Sequence, residues 1–145
     1  MKVQIKKLSE TACIPERGSS FAAGYDLRAD LTDPAEIRPH ETKMIPTGLS
    51  IAVPQGYFGG IFARSGLASK EGLRPSNCVG VVDSDYRGPV MVALHNDSDE
   101  ARTVEPGERI AQMVILPFLA AEFELTEELD ATARGEGGFG STGKK

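Results

Sequence analysis

Two aspartates separated by one residue, Asp83 and Asp85, are the side chains of this sequence best suited to acid–base chemistry. If they lay on a strand, both carboxylates would point to the same face. A carboxylate can deprotonate an attacking water. Its ordinary pKa of about 3.9 makes it a weak base at neutral pH, but nearby phosphate charges would raise that pKa. The same segment could instead be a turn held by side-chain-to-backbone hydrogen bonds, and both interpretations stay open here.

A second segment, Arg64-Ser65-Gly66, has residue types that bind phosphate. Arginine offers a planar fork of donors that matches phosphate oxygens. Ser65 and Gly66 stand where a short helix would begin, with Ser65 as its N-cap and Gly72 as its end, and helix N-termini bind anions. An ordinary capped helix beside a surface arginine would have the same sequence.

Two polar residues lie within apolar surroundings, Asp26 and Gln112. Because Mg²⁺ keeps several of its waters and contacts few protein groups, Asp26 could hold a hydrated Mg²⁺. A strand-end aspartate that faces solvent is the alternative. A buried amide such as that of Gln112 needs hydrogen-bond partners, and these could be structural or belong to a substrate phosphate.

The last twelve residues, 134–145, contain five glycines, one ring (Phe139), two hydroxyls and three cations. Glycine-rich backbone can approach an anion closely, and Phe139 has no local core to join. The segment is therefore suited to closing over a ligand with phosphates and a flat ring, although a flexible terminus would have a similar composition. Its likeness to a P-loop is rejected because no helix can follow Lys145.

Short strands must position these residues, since 16 glycines and 9 prolines are spread along the 145 residues. One short helix is predicted at 65–71. A hairpin is predicted around 83–88, and the strand at 110–116 should be buried on both faces. The pattern predicts a single all-β domain, a barrel or a two-sheet jelly roll, whose C-terminal arm beyond Pro117 could pair with a neighbouring subunit. The predicted strands are 3–8, 23–29, 44–53, 57–63, 78–82, 90–96, 110–116 and 121–125.

Composition excludes several classes of function. The net charge of −5 disfavours nucleic-acid binding, and neither a membrane span nor a signal peptide is expected, so we predict a cytoplasmic protein. The residues Cys13, Cys78, His40 and His95 are too scattered for a zinc site, and both cysteines are expected to be buried. A phosphorylated substrate would therefore need a local cationic pocket or a divalent metal.

Five segments in order carry a family resemblance: AAGYDL (22–27), ARSGLA (63–68), GVVDSDYRG (80–88), GERIAQ (107–112) and RGEGGFGSTG (134–143). With them the chain resembles, over nearly its whole length, the homotrimeric deoxyuridine triphosphate nucleotidohydrolases, the dUTPases. Its departures from that family are mild: Ala63 stands where proline is common, and the stretch before Ala22 varies freely.

The resemblance implies a jelly-roll-like distorted barrel with one short helical turn, in a trimer whose C-terminal arms are exchanged. It implies a domain at 1–133 and a flexible lid at 134–145. The expected reaction is hydrolysis of dUTP to dUMP and pyrophosphate by water attack on the α-phosphorus, with Mg²⁺ as cofactor. This reaction limits uracil in DNA and supplies dUMP for thymidylate synthesis. Each active site would draw on all three subunits.

The resemblance also assigns roles to residues. Asp83 would be the general base, and Asp26 would reach the metal through water. The uracil and deoxyribose would contact Asn77, Gly80, Val81, Val82, Tyr86 and Met91. The phosphates would contact Arg64, Ser65, Gly66 and Gln112. The lid would contribute Arg134, Phe139 stacked on the uracil, Gly140, Ser141 and Thr142.

Two alternatives are weighed against this reading. One is a dCTP deaminase, or its bifunctional relative, on the same fold, although such a protein is not expected to combine GVVDSDYRG with a phenylalanine-centred tail. The other is a non-catalytic module that senses a nucleotide, against which Asp83, Arg64 and Phe139 argue because all three are present.

Overall fold

The computed structural model describes residues 1–77 and 79–138 and consists mostly of strands with one short helix. This confirms the predicted all-β class. In chain order, the elements are β1 (Gln4–Lys7), β2 (Glu16–Arg17), β3 (Tyr25–Arg28), β4 (Ala35–Ile37), β5 (Thr42–Ala52), β6 (Tyr57–Phe62), α1 (Ser65–Glu71), β7 (Leu73–Pro75), β8 (Val79–Val82), β9 (Val90–Asn96), β10 (Arg102–Val104) and β11 (Arg109–Pro117).

The strands form two main antiparallel sheets and a two-stranded ribbon. One sheet has the order β1-β5-β9-β7, the other β2-β3-β11-β6-β8, and β10 pairs with β4. Alternation along the strands supplies the core: Val90, Val92 and Leu94 of β9 are buried, whereas Met91 between them is exposed. This two-sheet arrangement is jelly-roll-like, as predicted.

A buried hydroxyl group forms a hydrogen bond to the backbone at a bulge in β5. Pairing between β5 and β9 shifts register between Pro46 and Leu49. Within this irregularity, Thr47 is almost wholly buried and its Oγ1 donates a hydrogen bond of 2.7 Å to the carbonyl oxygen of Val90. The side chain thus supplies a partner for a backbone carbonyl where the ladder is interrupted.

The helix α1 has the predicted bounds, but its cap differs. Gly72 ends it in the left-handed conformation, with φ of 71°. The N-cap is Arg64, which is extended and makes no side-chain capping bond, so the prediction of Ser65 as N-cap was wrong. The chain is still extended at Arg64, so Ser65 is the first residue of the helix and not its cap.

The predicted hairpin around 83–88 is wrong. Among the described strands, β8 pairs with β6 alone, whereas β9 pairs with β5 and β7 in the other sheet. Both strands carry buried apolar residues, but these complete opposite sides of one core. Packed sheets lie about 10 Å apart, a distance that the seven residues between β8 and β9 easily span. The turn therefore connects the two sheets.

Beyond β11 the described chain, to residue 138, contains neither helix nor strand. The predicted strand at 121–125 is therefore wrong for the chain by itself: Phe123 and Leu125 are 96% and 100% exposed, with no neighbouring strand to pair with. The prediction that β11 is buried on both faces was wrong, since Val114, Ile115 and Leu116 are only half-buried. Cys13 is exposed, against expectation. Among the described residues, no helix has the length and apolar character to cross a membrane.

Candidate active site

A cavity of about 270 Å³ opens where β8 meets the turn that leads to β9. Within the described chain, β8 is an edge strand, so one side of its backbone offers donors and acceptors that no other strand uses. Such an edge can recognise a flat ring with its own alternating donors and acceptors. Seven residues predicted from the sequence line this cavity: Asn77, Gly80, Val81, Val82, Asp83, Tyr86 and Met91.

Gly80 has no side chain, so at this position the wall of the cavity is formed by backbone. A Cβ atom at Gly80 would lie 3.1 Å from the Cβ of Ile61 and 3.3 Å from Nδ2 of Asn77. Any larger residue would therefore press on the Asn77 amide or on the core. Glycine at this position lets the Asn77 amide and the β8 backbone serve the same small space.

The ring of Tyr86 is held at the rim. Its hydroxyl donates to the carbonyl oxygen of Pro89 at 3.0 Å, and its N–H donates to the carbonyl oxygen of Asp83 at 3.2 Å. A Cβ atom at Gly88 would overlap the Tyr86 hydroxyl, so only glycine permits this placement. The turn therefore fixes an aromatic wall beside the cavity.

The two aspartates of the turn lie in different surroundings. Asp83 lines the cavity just described, whereas Asp85 lines another, with Lys2 and Arg87. Of the two interpretations of this segment, the turn is the one that the structure has, so the shared strand face does not arise. Among the described residues, the Asp83 side chain makes no hydrogen bond and no ion pair. Only Asp83 is thus free to act on a ligand in the first cavity.

A second group of side chains, the arginine cluster of Asp26, Arg64, Arg109 and Gln112, lies on the outer face of the five-stranded sheet. Asp26, Gln112, Phe62 and Val79 are register partners across β3, β11, β6 and β8. The Asp26 carboxylate is half-buried, at 19% exposure. Its Oδ1 accepts from Nε of Arg64 and its Oδ2 from Nη1 of Arg109, each at 3.1 Å. Asp26 is therefore not the solvent-facing strand-end residue that the alternative reading allowed.

Arg64 is held at two of its three nitrogens. Besides the bond from Nε to Asp26, its Nη1 donates to the carbonyl oxygen of Arg109 at 3.1 Å. Its Nη2 has no hydrogen-bond partner within residues 1–77 and 79–138. Ser65 and Gly66 follow directly and are exposed. The guanidinium is thus fixed in place, and both N–H groups of Nη2 remain available to an anion.

The amide of Gln112 is packed against a glycine. Its Nε2 donates to the carbonyl oxygen of Ala63 at 2.9 Å. A Cβ atom at Gly24 would overlap Oε1 of Gln112 and lie 3.0 Å from its Cδ. The pair Gly24 and Gln112 therefore keeps an amide beside the start of the Arg64 segment, on the same sheet face as Asp26.

Sequence reasoning missed Arg109. It stands in the GERIAQ segment, three residues before Gln112, which is the one residue of that segment with a role predicted from the sequence. An arginine immediately before an apolar strand was the available signal. Its contact with Asp26 joins residues 83 positions apart, which local patterns do not reveal.

Within the described residues, the cavity beside β8 and the arginine cluster do not form one enclosed site. None of Asp26, Arg64, Ser65, Gly66 and Gln112 lines the cavity beside β8. Three strand spacings separate Asp26 on β3 from Val79 on β8, which corresponds to about 14 Å. Arg134 lies in neither cluster: it is exposed, and its Nε donates to the carbonyl oxygen of Gly137 at 2.7 Å. The predicted lid residues Phe139, Gly140, Ser141 and Thr142 lie outside the described residues.

A divalent metal would find little protein to bind here. Within the described residues, no group of three or more His, Cys, Asp or Glu side chains could hold an ion. The Asp26 carboxylate has four lone-pair sites and uses two of them, so it can still accept hydrogen bonds from metal-bound water. This donor set suits Mg²⁺, which keeps waters and is held largely by substrate phosphates.

The protein is all-β, and its free strand edge and arginine cluster have the chemistry to suit a ligand with a flat ring and anionic groups. The dUTPase family model matches residues 10–143, and the chain belongs to the dUTPase family. It is 51% identical over 143 residues to a deoxyuridine 5'-triphosphate nucleotidohydrolase of Oryza sativa subsp. japonica, which covers 97% of this chain and 80% of that protein.

Further relatives agree with this assignment. A deoxyuridine 5'-triphosphate nucleotidohydrolase of Citrobacter koseri is 44% identical over 146 residues, covering 100% of this chain and 96% of that protein. Among solved structures, the Staphylococcus bacteriophage 80alpha dUTPase with dUPNHPP superposes with a TM-score of 0.88 at 32% identity, covering 98% of each chain.

Proposed function

We propose that this protein hydrolyses dUTP to dUMP and pyrophosphate, with Asp83 as the general base. The observation that carries the proposal is the cavity in which the unpaired Asp83 carboxylate stands beside the free edge of β8. Family membership supports the choice of substrate. The reaction would limit uracil in DNA and supply dUMP for thymidylate synthesis, and we place it in the cytoplasm.

The free edge of β8 suits uracil. Backbone groups of Gly80 to Val82 and the Asn77 amide can pair with the imide edge of the base, and Met91, which lines the same cavity, would contact the ring. Cytosine presents a donor where uracil has an acceptor, and a mispaired buried group weakens binding strongly. A methyl group on the base would have to fit into the same 270 Å³. Tyr86 would press on the deoxyribose and leave no room for a 2′-hydroxyl.

The phosphates would be held by the arginine cluster. Nη2 of Arg64, the hydroxyl of Ser65, the backbone of Gly66 and the Gln112 amide are donors suited to phosphate oxygens. Mg²⁺ bound to the triphosphate would neutralise the charge that builds up on the leaving pyrophosphate. Asp26 would accept hydrogen bonds from waters of that metal. This assignment explains how a chain with a net charge of −5 binds a polyanion.

Hydrolysis needs one proton transfer. Asp83 takes a proton from water as the water oxygen bonds to the α-phosphorus, and the bond from that phosphorus to the bridging oxygen of the β-phosphate breaks. Its electron pair leaves with pyrophosphate. Alignment of the water by Asp83 contributes beside its basicity, because a fixed nucleophile needs no further ordering.

We further propose a homotrimer with shared active sites and exchanged C-terminal arms. The β8 cavity and the arginine cluster are separate within one chain, so a neighbouring chain could complete each of them. The arm beyond Pro117 exposes Phe123, Leu125 and Leu129, which burial against another subunit would remove from water. Residues 1–133 would form the domain and residues 134–145 the lid. In it Phe139 would stack on uracil, and Arg134, Gly140, Ser141 and Thr142 would cover the phosphates.

The decisive experiment compares pyrophosphate release from dUTP, dTTP, dCTP and UTP with Mg²⁺ present. We expect rapid release from dUTP alone. Ammonia from dCTP at a comparable rate would instead indicate a deaminase, and binding of dUTP without turnover would indicate a nucleotide sensor. Sedimentation of the active protein should give a trimer, and a fully active monomer would contradict shared sites.

A further inference from the structure

Arg109 belongs to the arginine cluster, but the proposed contacts with substrate do not include it. Its Nη1 donates to Oδ2 of Asp26, the oxygen that Arg64 leaves open, and its own carbonyl oxygen accepts from Nη1 of Arg64. The side chain is 45% exposed. Arg109 thus holds Asp26 with its side chain and Arg64 with its backbone.

A bulge brings Arg109 to this face. Ala111 and Met113 point into the core, so a regular strand would also turn residue 109 inward. Pairing between β11 and β3 shifts register between Arg109 and Ala111, which allows Ile110 and Ala111 both to be buried. Arg109 then shares the outer face with Asp26. Bulges re-aim side chains in this way and are frequent next to active sites.

Without Arg109, the Arg64 side chain could form a more favourable pair with the Asp26 carboxylate. Arginine and carboxylate prefer a bidentate pair with two parallel N–H···O bonds. In the structure Arg64 contacts only Oδ1, because Oδ2 is taken and Nη1 is bonded to a carbonyl. If Oδ2 became free, Arg64 could close onto both oxygens and turn its remaining donors away from an anion.

We propose that Arg109 is a positioning residue of the phosphate site, which holds Oδ2 of Asp26 and so keeps Nη2 of Arg64 available to the triphosphate. The proposal rests on the proposed function of this site. Arg109 acts through Asp26 and Arg64, and it does not itself need to contact the substrate.

The test measures binding of α,β-imido-dUTP with Mg²⁺ by calorimetry, beside deoxyuridine, which has no phosphates. Arg109→Gln should weaken analogue binding by roughly 10- to 30-fold, as for loss of a charge-assisted hydrogen bond, and leave deoxyuridine binding unchanged. Arg109→Lys should recover part of the loss. The matched control is Arg28→Gln: Arg28 is the register partner of Arg109 but donates to the carbonyl oxygen of Gly107.

A double-mutant cycle separates positioning from direct contact. In an Asp26→Ala background there is no carboxylate to share, so adding Arg109→Gln should cost less than about twofold. An undiminished loss in that background would show that Arg109 contacts the phosphates directly, and would overturn the proposal. So would normal analogue binding by Arg109→Gln, or an equal loss in Arg28→Gln.

A different result is expected if the proposed hydrolysis of dUTP is itself wrong. If the wild-type protein bound neither α,β-imido-dUTP nor deoxyuridine, the proposed function itself would be wrong. Thermal unfolding of each variant checks folding. Should Asp26→Ala fail to fold, Asp26→Asn takes its place in the cycle, because its side chain has a single acceptor oxygen and cannot accept from both arginines in the way that the carboxylate does.

Discussion

Replacing the base, Asp83→Asn, should abolish most turnover while leaving the fold and the pocket intact. The amide has nearly the same shape as the carboxylate but cannot take a proton from water. General-base catalysis contributes roughly 10²- to 10⁴-fold, so kcat should fall by that factor, equivalent to about 3–5 kcal/mol in the activation free energy. The assay is pyrophosphate release at saturating dUTP.

The structure indicates that Asp83→Asn should lower turnover and should not weaken stability or substrate binding. Within the described chain the Asp83 carboxylate is exposed and makes no hydrogen bond or ion pair, so the free energy of unfolding should change by less than about 0.5 kcal/mol. For a domain of 145 residues this means a shift in Tm of about 2 °C at most. Binding of α,β-imido-dUTP should stay equal or tighten, since one negative charge near the phosphates is removed.

Asp85→Asn is the matched control. It changes the same functional group two residues further on, in a different cavity that contains Lys2 and Arg87, and it should keep wild-type kcat. If Asp83→Asn retained more than about a tenth of kcat, or if Asp85→Asn lost as much activity, the assignment of the base to Asp83 would be refuted.

Three further changes test other contacts. Gly24→Ala should raise KM for dUTP about tenfold, because its Cβ displaces the Gln112 amide; steady-state kinetics measure this. Thr47→Val should lower the free energy of unfolding in urea by about 1–3 kcal/mol and leave kcat unchanged, because a buried carbonyl of β9 loses its donor. The hydrogen bond from Arg74 holds the pKa of Asp97 below its ordinary 3.8. The Asp97 carboxylate therefore stabilises the fold above pH 3.8, and this stabilisation is lost as the pH falls through the lowered pKa. Asp97→Asn should therefore be less stable at neutral pH and lose less stability in acid.

Each of these predictions has an opposing result. Wild-type KM in Gly24→Ala would mean that Gln112 does not hold the substrate. Unchanged stability in Thr47→Val would mean that water replaces the hydroxyl at the bulge. Parallel stability curves of wild type and Asp97→Asn between pH 2 and 5 would show that the Asp97 ion pair contributes nothing to acid unfolding.

Local patterns predicted the elements whose structure depends on near neighbours. The strand at 90–96 and the helix at 65–71 have the predicted bounds, since alternation reports burial and Gly72 adopts the left-handed conformation that ends a helix. Patterns failed where pairing is distant: β8 and β9 are adjacent in sequence but belong to different sheets. Choosing between a hairpin and a crossover depends on which arrangement buries both apolar faces, and that is a property of the whole core.

The candidate site likewise has features that the sequence predicted and features that depend on the tertiary structure. Residue types and their order in five segments were sufficient to predict the family, the substrate class and most residues of the two clusters. The sequence did not distinguish the environments of Asp83 and Asp85, and it did not reveal Arg109. Both results follow from tertiary structure: a turn between sheets separates two carboxylates two residues apart, and a β-bulge carries Arg109 to a carboxylate 83 positions away.

The sequence by itself therefore determined which functional groups this protein possesses and the order in which they occur. The tertiary structure alone decided which of them share an environment. The physical reason is that side-chain chemistry and strand periodicity are properties of a few neighbouring residues, whereas the partner of a strand edge or a charge is chosen by the free energy of packing two sheets.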